Sequence, residues 1–190
     1  MRKKTFISFL IIINFATAQN QEQKTPIDSI YLKNRLYNAQ TELYDVYKTQ
    51  SATIIMLGNS ITYGVNWNEL LGRTDVVNRG IGSDNTFGYL KRLHYVYRLN
   101  PKICFIMGGI NDIYSDIPVD IAFKNYKNII DSVRTRKILP IIQSILHVTA
   151  KFRKAVEKNP EVEKFNNLLK KYAIENGIEF IDIDSKLSEN

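Results

Sequence analysis

The chain has 190 residues, 44% of them hydrophobic and 24% charged, which fits one folded domain and excludes a disordered or low-complexity chain. One cysteine and two histidines exclude a disulfide scaffold and leave no ordinary zinc site. The net charge of +7 is carried by basic residues that alternate with acids along helical stretches. That is a solvated surface, not the clustered stripe that a nucleic acid requires.

The N-terminus reads Met1-Arg2-Lys3-Lys4, then an apolar run from Phe6 to Phe15, then Ala16-Thr17-Ala18. A basic start, a short apolar core and an A-x-A site predict a secretory signal peptide over residues 1–18. The apolar run falls short of the ~20 residues of a membrane span. Cleavage near Ala18 would export the chain and leave a net charge of +4, since residues 1–18 hold three basic and no acidic residues. Residues 19–26 are a polar linker, and residues 27–190 are expected to form one domain.

Apolar residues recur at helical spacing from Ile27 to Tyr47, predicting an amphipathic helix. Thr53 to Leu57 is an apolar run ending at Gly58, as a buried parallel strand does. Val76-Val77 closes a shorter second strand at Asn78, and a helix is predicted over Asn85–Arg98, stopped by Asn100-Pro101. Ile103 to Met107 is a third strand that breaks at Gly108-Gly109. A helix over Val119–Arg136, a strand from Ile138 to Ile145 containing Pro140, and a helix marked by Val162, Phe165, Leu169 and Tyr172 follow. Asn176-Gly177 caps that helix, and Ile178 to Ile183 is the fifth strand. Strands alternating with helices predict an α/β fold whose parallel sheet is covered on both faces. Its chemistry belongs at the carboxyl ends of the strands.

Those ends carry distinctive residues. Strand one ends in Gly58-Asn59-Ser60-Ile61-Thr62, strand two in Asn78-Arg79-Gly80-Ile81-Gly82-Ser83-Asp84-Asn85, and strand three in Gly108-Gly109-Ile110-Asn111-Asp112. Taken singly, Ser60 is a helix N-cap, the glycines are turn formers and Asn111 is a loop residue. No phosphate-binding glycine fingerprint is present. Together they supply a hydroxyl nucleophile, a backbone N–H at a glycine-bearing turn and a side-chain amide, the set that acyl transfer needs.

In these stretches the chain resembles the SGNH (GDSL-like) hydrolases, and among them the secreted esterases similar to platelet-activating-factor acetylhydrolase. Leu57–Thr62 is similar to the family's G-D-S-I-T, Asn78–Leu90 to N-R-G-I-G-G-D-T-T, Pro101–Asp112 to P-K…G-x-N-D, and Gln143–Leu146 also matches. The resemblance implies a three-layer, flavodoxin-like α/β/α domain with a five-stranded parallel sheet in the order 2-1-3-4-5. It also implies Ser60 as nucleophile and an oxyanion hole from the Ser60 N–H, the turn at Gly82 and Ser83, and the Asn111 amide. No metal or cofactor is implied, and the partner is a small ester on a sugar or lipid.

Three departures stand out. Asn59 replaces the acidic residue before the serine, and Ser83 replaces the glycine before Asp84. The family's D-x-x-H, which carries the general base and its orienting acid, does not occur anywhere in the 190 residues. His94 is read as a structural or exposed helix residue, and His147 follows strand four at the catalytic end without an acid at the family's spacing. Asp182 and Asp184 are expected to lack a histidine partner. The domain is therefore read as C-terminally incomplete, with one sheet face partly uncovered near strands one and five, and close to inactive. The leading function is a serine esterase for short acyl groups. Alternatives are a lysophospholipase or thioesterase, which needs a long apolar groove, and a non-catalytic binding relative. Tyr63 and Trp67, close after Ser60, are either a sugar platform or buried aromatics.

Overall fold

The computed structural model describes residues 26–187, so the signal-peptide reading over residues 1–18 and most of the linker lie outside the described residues. Five short apolar runs pair side by side as strands: β1 (Ile54–Gly58), β2 (Val76–Gly80), β3 (Ile103–Met107), β4 (Leu139–Gln143) and β5 (Glu179–Ile181). All four pairings are parallel, and the order is β2-β1-β3-β4-β5. Gly58 pairs with both Gly80 and Met107, so β1, β2 and β3 finish level and release their following loops at one edge.

Alternation along the strands divides the core in two. Ile55, Leu57, Cys104, Ile106 and Ile142 point to one face, where they pack with Tyr89, Val96, Tyr126, Phe165 and other buried side chains. Most of these come from α4 (Thr86–Lys91), α5 (His94–Tyr97), α7 (Val119–Thr135) and α8 (Ala155–Asn176). The opposite face buries Ile54, Met56 and Val76 under Trp67 of α3 (Trp67–Leu71), and leaves Ile103 and Phe105 half-buried. In place of the open patch expected near strands one and five, the structure buries Ile54 and Met56 of β1, and cover thins over Ile103 and Phe105 of β3, with Phe180 and Ile181 of β5 half-buried.

Several predicted boundaries move for physical reasons. The helix predicted over Ile27–Tyr47 is two elements, a 3-10 segment (Ile27–Lys33) and α1 (Arg35–Val46). They separate at Asn34, whose extended backbone lets its side chain cap α1 by accepting from the Leu36 N–H at 3.0 Å. Only Tyr37 and Tyr44 of α1 are buried, while Leu36 and Leu43 stay exposed. The helix predicted over Asn85–Arg98 breaks between α4 and α5, where Arg92 turns its guanidinium inward to Asp84. Strand two continues past Asn78 to Gly80, because Arg79 is a buried strand residue and not the start of a loop. The strand expected to reach Ile183 stops at Ile181, and Ile183 opens α9 (Ile183–Leu187).

Candidate active site

After β1 the chain turns directly into α2 (Ser60–Tyr63). Asn59 is buried and its Oδ1 accepts the Ile61 N–H at 3.0 Å. It therefore caps the turn as an aspartate would, without the charge. Ser60 is the first residue of that turn and is exposed. Gly80 allows α2 to sit against the end of β2: a Cβ at position 80 would lie 2.3 Å from the Tyr63 nitrogen. Asn78 holds the far side of α2, its Nδ2 lying 2.9, 3.1 and 3.2 Å from the carbonyls of Thr62, Tyr63 and Val65.

The turn after β2 carries the second part of the site. Ser83 has φ +58°, so a serine takes the left-handed conformation that favours glycine. Gly82 is not in that region, and its carbonyl accepts from the Asn34 Nδ2 at 2.7 Å. After β3, Gly109 has φ +127° and no room for a Cβ beside the Phe165 ring, and it opens α6 (Ile110–Tyr114). Asn111 lies on that turn and donates through Nδ2 to the Asp84 carbonyl at 2.8 Å. A side-chain amide has two N–H donors, so one anchors Asn111 and the other remains for a ligand. Ser83 and Asn111 are thus joined through Asp84, above strands that end level with the one preceding Ser60.

Under this turn lies a buried charged network that the sequence reading did not single out. Arg92 donates to Asp84 at 2.7 Å, to the Arg79 carbonyl at 2.6 Å and to the Gly58 carbonyl at 2.9 Å. Asp112 accepts from the Thr86 N–H and hydroxyl, and Asn125 donates to the same hydroxyl. Burial pushes Asp84 up to about 6 in spite of the opposing pull of Arg92. It pushes Asp112 up to about 7, against the hydrogen bonds from Thr86. Neither carboxylate is exposed to substrate; both position the turn.

The two histidines separate clearly. His94 is exposed on α5 against the Tyr95 ring, in keeping with a surface or structural role. His147 corrects the expectation for Asp184: its Nδ1 lies 2.6 Å from Asp184 Oδ2, and its backbone N–H donates to Oδ1 at 2.8 Å. The fold makes this pair from residues 37 apart, a separation at which no local motif could show it. Asp182 does not share in it and instead accepts from the Ser144 hydroxyl at 3.3 Å. The pair borders a cavity of about 270 Å³ with Glu163, Asn166 and Lys170 of α8, and Ser60 is not among its lining residues.

The GDSL-like lipase/acylhydrolase family matches residues 56–190. The chain belongs to that family. Among solved structures, a platelet activating factor protein from Streptococcus pneumonia is 26% identical with a TM-score of 0.72, over 84% of this chain and 81% of its own. A lipolytic protein of the G-D-S-L family from Veillonella parvula is 25% identical with a TM-score of 0.62, covering 72% and 80%. The acetyl xylan esterase AlAXEase shares the fold at 22% identity and a TM-score of 0.61, covering 70% and 78%. No curated protein matches the chain. As a GDSL-like acylhydrolase it is by family a hydrolase of esters. No helix among the described residues is long and apolar enough to cross a membrane.

Proposed function

We propose that this GDSL-like hydrolase uses the Ser60 hydroxyl to attack short, acetyl-type esters on carbohydrate or lipid. The observation that carries the reading is the link from Asn111 through the Asp84 carbonyl to Ser83, at the level where β1 delivers Ser60. In this reading the Ser60 oxygen bonds to the ester carbonyl carbon. The charge developing on the carbonyl oxygen then meets the Ser60 N–H, the N–H of Ser83 in the turn it shares with Gly82, and the free N–H of Asn111. The carbon–oxygen bond to the alcohol breaks as the alcohol takes up the serine proton, and water releases the acid from the acyl-serine. Gly82 contributes by keeping Asn34 on its carbonyl, which holds the turn. The serine proton needs a base. His147 is oriented by Asp184, but it follows β4, two strands from the β1 that delivers Ser60, and no described hydrogen bond joins it to Ser60, which supports weak turnover by these 190 residues. We further propose that residues 1–18 direct export and that residues 27–190 are one esterase domain.

Hydrolysis of p-nitrophenyl acetate tests both parts. The chain should turn over slowly, and Ser60→Ala should change the rate little, because residues acting as a unit are non-additive. In a version extended by a D-x-x-H segment, the same change should abolish turnover. If Ser60 proves dispensable there, the nucleophile assignment fails. Fast hydrolysis by the 190 residues that is lost in both Ser60→Ala and His147→Ala would instead make His147 the base and overturn the weak-turnover reading.

A further inference from the structure

The outer edge of β2, one of the two edge strands of the sheet, borders a cavity of about 360 Å³ between α1 on one side and α2 and α3 on the other. A second strand has little to pair with here, because side chains already occupy the outward carbonyls. Asn68 Nδ2 donates to the Val76 carbonyl at 3.1 Å, Arg79 Nη1 to that of Asn78 at 3.0 Å, and the Tyr44 hydroxyl to that of Gly80 at 2.8 Å. What the cavity offers a ligand is therefore side-chain chemistry.

Arg79 alone among its lining residues is charged, and Arg79 is 2% exposed. Its guanidinium lies 4.5 Å over the Tyr44 ring, and Nε donates to the Tyr95 carbonyl at 3.3 Å. Nη2 donates to no described residue, and no described carboxylate pairs with the group, whereas neighbouring Arg92 has Asp84 and Arg98 has Asp45. Buried charges are ordinarily paired. Desolvation accordingly lowers Arg79 to about 10. At the mouth, Tyr47 and Tyr63 are 46% and 53% exposed, and their hydroxyls bond to no described residue. Gln40 and Asn68 add side-chain amides to the lining.

We propose that this groove binds an acidic sugar, with its carboxylate on Arg79 and its ring against Tyr47 and Tyr63. A buried cation lacking a counter-ion selects an anion, and exposed aromatic faces beside amides and hydroxyls suit a pyranose ring. The proposal rests on the ester-hydrolase reading and deepens it: the substrate is an acyl ester on a uronate-bearing polysaccharide. Such a chain would lie along β2 and reach Gly80, level with Gly58 and so two residues from Ser60.

Binding of galacturonate and its disaccharide to the intact chain, followed by calorimetry and thermal shift, tests this without any turnover. The acidic sugar should bind saturably and raise the melting temperature, at least tenfold more tightly than neutral galactose. Tyr47→Ala and Tyr63→Ala change partly exposed residues and should each weaken binding several-fold while the protein still folds, with only a small fall in the ligand-free melt where Tyr47 gives up its contact with the Tyr44 ring. Arg79→Lys keeps a cation but loses the fork, and should weaken binding at least tenfold; should it fail to fold, the two tyrosine variants still decide. Galacturonate binding no tighter than galactose, or unaffected in both tyrosine variants, overturns the proposal. Inorganic sulfate binding as tightly as galacturonate would overturn the sugar assignment in favour of a bare anion site. Failure here leaves the Ser60 reading standing, because that is measured by hydrolysis of an uncharged ester.

Discussion

Beneath the turn after β2, Arg92 and Asp84 meet at 2.7 Å with side chains 1% and 0% exposed, whereas His147 and Asp184 meet at 2.6 Å with side chains 33% and 12% exposed. Near-identical distances thus sit in very different surroundings. The first pair is locked by further hydrogen bonds to the Arg79 and Gly58 carbonyls, so it fixes the backbone on which Ser83 and Asn111 depend. The second borders an open cavity and ties the segment after β4 to α9, on the lateral side of the sheet away from β2. Contact distance reports geometry; what breaking a contact costs is set by how far each partner has been removed from water. The Arg92 side of this sheet is over-determined, and the His147 side is not.

Removing one partner from each pair makes the contrast measurable. Arg92→Leu strands the Asp84 carboxylate and two carbonyls in the interior, and should lower the unfolding free energy by about 3–5 kcal/mol in urea denaturation. His147→Ala should cost about 1 kcal/mol or less, because solvent screens a group one-third exposed. Equal losses would mean that the two sides are equally desolvated and would break the comparison.

Titration sharpens it in a second way. Asp84 and Asp112 have folded pKa values of about 6 and about 7, raised by burial from an ordinary 3.8. An acid whose pKa is raised on folding binds more protons in the native state than in the unfolded one. Its contribution is therefore fully present below pH ~4 and is lost as pH rises through the folded value. The melting temperature should accordingly be higher at pH 5.5 than at pH 7.5. Asp112→Asn should flatten that dependence, since the amide cannot ionise. A flat wild-type profile, or an unchanged slope in Asp112→Asn, would show that the carboxylates are better solvated than the structure places them.

The sequence made the sheet legible because each strand is a short apolar run closed by glycine, asparagine or a turn, and alternation with helices leaves few topologies. Ser60, Ser83 and Asn111 were legible for the same reason, since each follows the end of a strand. What it concealed depends on long-range pairing. Nothing local marks Arg79 or Arg92 as interior, yet the fold buries both, one on Tyr44 and one on Asp84. The break at Asn34 was hidden because its side chain serves two partners at once, capping α1 and reaching Gly82, 48 residues away. Asp184 had no visible partner, because β4 and β5 must first pair before His147 comes alongside it.

The smallest expected effect concerns the one site residue with a strained backbone. Ser83 is exposed and has φ +58°, so its side chain contributes little packing while its Cβ opposes the left-handed conformation. That conformation costs a non-glycine residue about 1–2 kcal/mol. Glycine would remove the strain but give the unfolded chain more freedom, offsetting roughly 0.5–1 kcal/mol. Ser83→Gly should therefore raise stability by about 0.5 kcal/mol, a small upward shift in melting temperature. Ser83→Val should lower it by at least as much, because a branched Cβ tolerates the left-handed region worst. Both variants keep the backbone N–H, so Ser60-dependent hydrolysis in the extended form should survive Ser83→Gly, where the turn is unchanged. If Ser83→Gly instead destabilised the protein while Ser83→Val was neutral, the serine side chain and not its backbone would be holding the turn, and this end of the sheet would be less firmly set than the Arg92 network implies.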